Sequence, residues 1–522
     1  MGCTIVPDNG PGLHAGFISG LYAMANDFPT DLYSATATRE LDAALIAGGI
    51  AGLELMQRAA DALWQALSGR WPRAGVLTVF CGAGNNAGDG YLLAERAQSA
   101  GWTVAVYWLA DPQRLQGDAA TAWQRAQAAG IQIQAWEPDL PLDGILVDAL
   151  LGTGISGEVR NHFAAAIAAI NASGLPVLAV DLPSGLDADS GRVWGIAVKA
   201  QLTVTFIAAK LGLMTAEGPD HCGELVFAPL AELPDERPAP LARVIDLPGL
   251  LAERPARSLA AHKGQFGHLL LLGGDHGMGG AIMLAAEAAL RSGAGRVSVL
   301  TRPEHVPALL ARCPEVMVRA IDEHSDVAEL LARVSALVVG PGLGQATWSR
   351  SLLEQALNSG LPQVLDADAL NVLAADPGLA AKLDNRSLIT PHPAEAARLL
   401  GCSTAQVQAD RPAAVHALAQ QLGCQVVLKG VGSLTTGLSS APGILGLCRA
   451  GNPGMATAGM GDVLSGVCGA LLALGLPAAS ALQLAVQVHA QAGDIAAEQG
   501  QWGLLASDLI APMRRLLNGF TG

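Results

Sequence analysis

Positive charge is scarce in this 522-residue chain: 31 Lys and Arg stand against 46 Asp and Glu, a formal net charge of −15. No basic footprint for nucleic acid is expected. An anionic ligand must then be held by backbone donors and individual lysines. Aromatic residues make up only 4% of the chain. The eight cysteines (Cys3, Cys81, Cys222, Cys313, Cys402, Cys424, Cys448, Cys468) include no Cys-x-x-Cys pair. That argues against a disulfide framework and a zinc site, and points to a reducing cytoplasm. The histidines lack metal-ligand spacing as well. No apolar run is long enough to span a bilayer, so no membrane partner is expected. Residues 1–29 hold no Lys or Arg. The mildly apolar stretch 13–24 therefore lacks the basic start of a signal peptide. A disordered lead is expected there, or an upstream extension of a chain that functionally begins near Met24.

What the chain has in quantity is small and apolar residues: 51% hydrophobic, with 62 glycines. Such a composition suits α/β layers in which helices lie close on a sheet, and the length suggests about two to four domains. Apolar residues at helical spacing over 37–67 predict two helices broken at Gly48-Gly49. Strand patterns at 76–80, 104–109, 145–149, 177–180 and 203–206 alternate with helical ones at 91–99, 117–129 and 161–173. Strands alternating with helices imply βαβ units and a mostly parallel sheet. Prolines interleaved with charges over 229–257 read as a linker. A second series follows, with strands at 268–272, 296–301, 336–339, 363–366 and 426–429 and helices at 280–292, 479–498 and 506–517. The domains expected are 30–228 and 258–522.

Glycine-dense loops mark the candidate sites. Gly451-Asn452-Pro453-Gly454-Met455-Ala456-Thr457-Ala458-Gly459-Met460-Gly461-Asp462 runs directly into an apolar helical pattern. Free backbone N–H groups and the helix dipole make such a junction an anion site, most often for phosphate. Asp462 is then either a helix cap or a base beside the phosphate. Lys429-Gly430 ends an apolar strand and puts an ammonium group where a phosphate partner fits. Gly340–Gly344 allows close approach of a flat ligand. Asp366, Asp368 and Asn371 add oxygens for a metal or a sugar hydroxyl, and His392 sits between two prolines.

In the N-terminal half, Gly82-Ala83-Gly84-Asn85-Asn86-Ala87-Gly88-Asp89 follows a strand. The spacing misses the Gly-x-Gly-x-x-Gly dinucleotide fingerprint by one residue. A plain turn, however, has no need of three side chains with oxygen atoms. Asp148 precedes Gly152-Thr153-Gly154-Ile155-Ser156-Gly157-Glu158, and Asp181-Leu182-Pro183-Ser184-Gly185 ends another strand. Polar strand ends along one edge of a parallel sheet are where such folds bind ligands. Oxygens of Asn86, Asp148 and Ser184 could together hold a hard cation.

With these motifs in order, the N-terminal half resembles NAD(P)H-hydrate epimerase: Asn85-Asn86-x-Gly88-Asp89-Gly90, Asp148, Gly152-Thr-Gly154, Asp181-x-Pro183-Ser184-Gly185. The C-terminal half resembles the ADP- or ATP-dependent NAD(P)H-hydrate dehydratases, through Gly274…Gly280-Ala281, Gly340-Pro-Gly342-Leu-Gly344, Asp366-Ala-Asp368-Ala-Leu-Asn371, Thr390-Pro-His392-Pro-x-Glu395, Lys429-Gly430 and Asn452-Pro-Gly454…Gly461-Asp462. The resemblance implies a Rossmann-like αβα sandwich followed by a ribokinase-like αβα domain. It also implies repair of hydrated NADH and NADPH, in which R and S hydrates are interconverted and the S hydrate is dehydrated at the expense of ADP.

By the same resemblance, Asn85, Asn86, Ala87, Gly88, Asp89, Gly152, Thr153, Gly154, Ile155, Ser156, Gly157 and Glu158 hold the dinucleotide. K+ lies on Asn86, Asp148 and Ser184. Asp181 stands nearest the reacting ring, with Lys199 as a catalytic partner. In the other half Asp462 is the base, and Ala281, Gly342, Gly344 and His392 contact the hydrate. Lys429, Gly430, Val431, Gly432, Ser433 and Gly461 contact ADP, which brings Mg2+. Ala87 and Ser433 depart from the family's usual glycine and threonine without change of size class or hydroxyl character. A homo-oligomer is expected. The alternative is a ribokinase-like kinase of a vitamin-type alcohol fused to a non-catalytic nucleotide-binding scaffold.

Overall fold

The computed structural model describes residues 28–73, 75–438 and 440–520. The lead expected over residues 1–29 lies, as far as residue 27, outside the described residues. The chain forms two compact units. One takes in Tyr33–Leu213 and Glu217–Pro238, the other Thr30–Leu32, Met214–Ala216 and Ala239–Gly522.

In the first unit, strands lie side by side in the order Gln132–Ala135, Thr103–Trp108, Val76–Cys81, Ile145–Ala149, Val177–Val180, Leu202–Phe206 and Glu224–Ala228. Every pairing between them is parallel. The strand order reverses between Val76–Cys81 and Ile145–Ala149, which opens a crevice at the strand ends. Strands such as Ile145–Ala149 are buried throughout, as expected where helices cover both faces. Helices Ala35–Ala47 and Gly52–Arg70 flank the expected break at Gly48-Gly49. The helix expected over 91–99 instead begins at Asn85 and ends at Ser99. The Asn85–Asp89 motif therefore forms its first turns and not a loop ahead of it.

In the second unit the parallel strands run Met317–Ala320, Arg296–Thr301, His268–Leu272, Ala336–Val339, Gln363–Leu365, Ser387–Ile389, Gln425–Leu428. Antiparallel Ser433–Thr435 and Leu445–Cys448 extend the sheet. Helix Met460–Ala473 is almost wholly buried between this sheet and helix Gly279–Arg291. A Cβ on Gly466 would lie 2.2 Å from the Ala285 carbonyl oxygen. Small residues are what bring the two helices that close together. The stretch expected to be a linker carries regular structure. Ala242–Val244 pairs with Leu445–Cys448, and helix Leu247–Ala252 sends Leu247 and Leu250 into the second unit's core.

Candidate active sites

In the first unit, four adjacent strands end at one edge. Asp148, on Ile145–Ala149, is fully buried. One of its carboxylate oxygens accepts from the Ser184 hydroxyl at 2.6 Å and the Leu150 amide at 3.2 Å, and the other accepts from the Ser184 amide at 2.7 Å. Burial pushes its pKa up to about 6, against the pull of those hydrogen bonds. The Leu151 carbonyl lies 3.2 Å from the Ser184 hydroxyl, whose single proton already has the closer acceptor in Asp148. Asn86 stands beside Gly152, and its Nδ2 is buried with no hydrogen-bond partner. A buried carboxylate without a cationic partner, an unused carbonyl and the Asn86 side-chain oxygen, which faces Gly152, are the oxygen donors a monovalent cation takes.

Asp181 follows Val177–Val180 in the left-handed region, φ +67°, where an aspartate is held only by its surroundings. Its Oδ1 accepts from Thr205 Oγ1 and the Phe206 amide, each at 3.1 Å, and from Lys210 Nζ. Lys210 is fully buried and also reaches the Phe206 carbonyl at 3.0 Å. Burial holds Asp89 well above the usual carboxylate range, and the charges of Asp181 and Asp42 add to this while Lys210 opposes it. Asp42 is raised likewise, by burial first and then by Asp118 and Asp181. Several carboxylates thus share one lysine.

That lysine is not the one the sequence singles out. Lys199, expected to partner Asp181, is exposed, and its amide donates to Asn171. Lys210 does the pairing instead. A single ammonium inside the stretch 202–214, which has no other charged side chain, was the signal available for it. Asp42 and Arg39, which donates to the Thr153 carbonyl at 3.3 Å, carried no such signal. The residues from Gly152 to Glu158 form a half-buried to exposed loop, with Gly152 against Asn86.

In the second unit Asp462 lies in the first turn of Met460–Ala473, and the residue before that helix, Gly459, has φ +90°. Burial and the charges of Asp366 and Asp368 push its pKa up to about 7, with Lys429 opposing. Lys429 Nζ donates to Asp366 at 3.1 Å, and the Ser465 hydroxyl donates to the other Asp366 oxygen at 2.7 Å. Burial alone would raise Asp366, but Lys429, Ser465 and Thr390 bring it below the usual range. Burial would lower Lys429, yet Asp366, Glu395 and Asp462 hold it above the ordinary lysine value. Gly461 sits against this pair: a Cβ there would lie 3.2 Å from Lys429 Nζ.

The loop ahead of the helix is anchored from behind by Asp494, on helix Ala478–Ala497. It accepts from the Gly451 amide and from Asn452 Nδ2, both at 2.9 Å. Asp494 was not anticipated. Gly344 donates to Asp368 at 2.9 Å, and Gly342 lies against Ala281. His392 caps helix Pro393–Leu400, with its Nδ1 accepting from the Ala394 amide at 3.1 Å. Burial keeps its pKa below the ordinary histidine value, so the ring is neutral at pH 7. Val431, at the tip of the 429–433 turn, is 56% exposed.

Each oxygen of Asp366 already accepts a hydrogen bond, one from Lys429 and one from Ser465. Among the described residues no cluster of three or more His, Cys, Asp or Glu could hold a metal ion. Mg2+ fits here as a companion of nucleotide phosphates, the usual arrangement for an ion that keeps several waters.

A family profile described as NAD(P)H-hydrate dehydratase matches residues 269–515, and one described as YjeF-related protein N-terminus matches residues 52–212. The bifunctional NAD(P)H-hydrate repair enzyme of Coxiella burnetii is 47% identical over 493 residues, covering 94% of this chain and 100% of the relative. That of Escherichia coli is 41% identical over 480 residues, covering 90% of each. The ADP/ATP-dependent NAD(P)H-hydrate dehydratase of Bacillus subtilis, crystallised with ATP and Mg2+, shares 27% identity with a TM-score of 0.46. It spans 53% of this chain and 98% of its own.

Proposed function

The chain belongs to the bifunctional NAD(P)H-hydrate repair enzymes, and from that premise we propose which residues carry each half of the repair. It is an isomerase through its N-terminal unit and a nucleotide-dependent lyase through its C-terminal unit. The observation that carries the residue assignment is Asp462: a carboxylate with a pKa pushed up to about 7, beside Lys429 and at a glycine-rich helix start.

In dehydration, Asp462 takes the proton of the S-hydrate's hydroxyl as its oxygen attacks the terminal phosphorus of ADP, and AMP leaves. A base whose pKa lies near the working pH suits that transfer. Lys429 and the N–H groups at residues 459–461 steady the charge on the transferred group. Phosphate then departs from carbon with its bonding electrons, the neighbouring carbon loses a proton, and the ring double bond returns. Residues 429–433 would contact ADP, while Ala281, Gly342, Gly344 and His392 would contact the hydrate. Mg2+ would enter on the nucleotide and neutralise its phosphates.

In epimerisation, the hydroxyl stands on a carbon bonded to the ring nitrogen, whose lone pair can expel it once it is protonated. Burial and neighbouring charge favour the protonated form of Asp89. It serves as the acid that releases water. Asp181, oriented by Lys210 and Thr205, takes the proton from water returning on the other face. Two carboxylates in contrasting surroundings supply the acid and the base. Asn85 to Asp89 and Gly152 to Glu158 would hold the dinucleotide. Asn86, Asp148, Ser184 and the Leu151 carbonyl would hold K+, which would supply positive charge near the phosphates. A cytoplasmic setting, in keeping with seven described cysteines that are all free, and a homo-oligomeric state belong to the same proposal.

The test is to incubate an epimeric mixture of hydrated NADPH with protein and ADP, or with ATP, and to follow the absorbance of the reduced cofactor. Full recovery with ADP is expected. An Asp181→Ala variant should recover only the S fraction beyond the uncatalysed rate. No recovery with either nucleotide would sink the assignment.

A further inference from the structure

Beneath the 429–433 turn lies a cation that the chemistry above leaves unused. Arg411, at the start of helix Arg411–Leu422, is 1% exposed. Its Nε donates to Thr215 Oγ1 at 3.2 Å, and Nη1 donates to Gln408 at 2.8 Å. Nη2 donates to the Leu428 carbonyl at 3.2 Å, and both terminal nitrogens reach the Lys429 carbonyl at 3.4 Å. All these acceptors are neutral, and among the described residues Arg411 makes no ion pair. Thr215 continues the pattern: its hydroxyl lies 3.2 Å from the Val431 carbonyl and 3.0 Å from that of Gly432. The Ala216 amide donates to the Val431 carbonyl at 3.3 Å.

The turn is seated on these groups without slack. A Cβ on Gly430 would fall 2.9 Å from Arg411 Nη1, and one on Gly432 would fall 2.1 Å from the Met214 carbonyl. Lys429 is fixed at three points, with its amide on the Pro391 carbonyl, its carbonyl on Arg411 and its ammonium on Asp366. With the carbonyls drawn inward, the peptide dipoles turn their positive ends toward the exposed side, where Val431 stands.

Burying a guanidinium without a counter-charge is costly unless something repays it. Five donors in a rigid fork can satisfy carbonyls without giving up the charge. Burial lowers its pKa to about 10, which leaves it charged at neutral pH. The charge that would balance it is an anion on the outer side of the turn.

We propose that Arg411 is a positioning residue for the nucleotide: with Thr215 it gathers the carbonyls of residues 428, 429, 431 and 432 inward and gives the turn an uncompensated positive charge that favours a nucleoside diphosphate over an uncharged nucleoside. This rests on the reading that residues 429–433 contact ADP.

The experiment uses the full chain. ADP and adenosine are titrated calorimetrically, and KM for ADP and kcat are measured for dehydration of the S hydrate, with Arg411→Met, Arg411→Lys, Thr215→Val and Lys429→Ala variants. Arg411→Met should lose about tenfold or more in ADP affinity, the scale of one nearby charge, with adenosine affinity unchanged and KM for ADP raised more than kcat falls. Arg411→Lys should keep most of the preference for ADP. Unchanged ADP affinity in Arg411→Met, equal losses for both ligands, or an Arg411→Lys that behaves like Arg411→Met would overturn the proposal. Should Arg411→Met fail to fold, Thr215→Val decides. A raised KM for ADP at unchanged kcat supports the proposal, and an unaltered KM overturns it. If Lys429→Ala binds ADP as wild type does, the reading of the turn itself fails. If Lys429→Ala loses ADP and Arg411→Met does not, only the role of Arg411 fails.

Discussion

Asp462 holds its proton up to about pH 7 because burial and two neighbouring carboxylates outweigh one lysine. As a base it works only when deprotonated, so dehydratase kcat/KM should climb with pH through that value and level off above it. Asp462→Asn should lower kcat on the order of 10²–10⁴-fold, the usual loss for a general base, with ADP affinity kept. The same shift acts on stability with a fixed sign. The unfolded chain gives up this proton near the ordinary aspartate value, about 3.9, and the folded protein only near 7. The group's stabilising contribution is therefore complete below the lower value and is lost as pH rises to the upper one. Asp462→Asn should raise Tm at pH 8 and have little effect at pH 4. A fall in Tm at pH 8 would mean that the carboxylate is better compensated than its surroundings indicate. In the other unit, Lys210→Ala should abolish epimerisation with dehydration of the S hydrate intact, while Lys199→Ala should leave both rates near wild type. The reverse ranking would restore Lys199 as the partner of Asp181.

At the scale of elements, the phosphate loop depends on a helix that never touches the substrate in the mechanism above. Asp494 takes both the Gly451 amide and the Asn452 side chain. Asp494→Ala leaves those donors unsatisfied and frees the loop ahead of Asp462. A rise in KM for ADP together with a fall in kcat of about tenfold is expected, since small misplacements of a positioned group are expensive. Unaltered kinetics would show that the loop holds its shape without the anchor.

Much of this arrangement was legible because the strand runs of the second sheet end in loops of distinctive composition: glycine-rich at Gly340–Gly344, proline-flanked at His392, and glycine-rich after the single ammonium at Lys429. The rest was hidden by distance. Ser465 reaches Asp366 from 99 residues away, and Lys210 reaches Asp181 from 29. No local pattern ties such partners together. Strands Gln132–Ala135 and Met317–Ala320 escaped notice for another reason: they pair at sheet edges, only partly buried, and show no apolar run. The 229–257 stretch read as a linker because its prolines mask one short strand and one short helix.

At the scale of the molecule, the second unit is assembled from three separate parts of the chain: Thr30–Leu32, Met214–Ala216 and Ala239–Gly522. Asp31 and Leu32 pair antiparallel with Arg243 and Ala242, adding a strand beside Ala242–Val244. Thr215 supplies the hydroxyl beneath the nucleotide turn. A fragment beginning at Ala239 would keep Asp366, Lys429 and Asp462, and with them the chemistry of dehydration. It would lose both added segments, leaving the outer side of Ala242–Val244 unpaired and the carbonyls of Val431 and Gly432 without a donor. Unsatisfied groups of this kind weaken a structure out of proportion to the few residues removed. The fragment should therefore dehydrate the S hydrate with a higher KM for ADP and a lower Tm than a full chain carrying Asp181→Asn, whose dehydratase unit is whole. Differential scanning calorimetry and steady-state kinetics on those two proteins make the comparison. Equal values would show that the two short segments contribute nothing to the unit they complete.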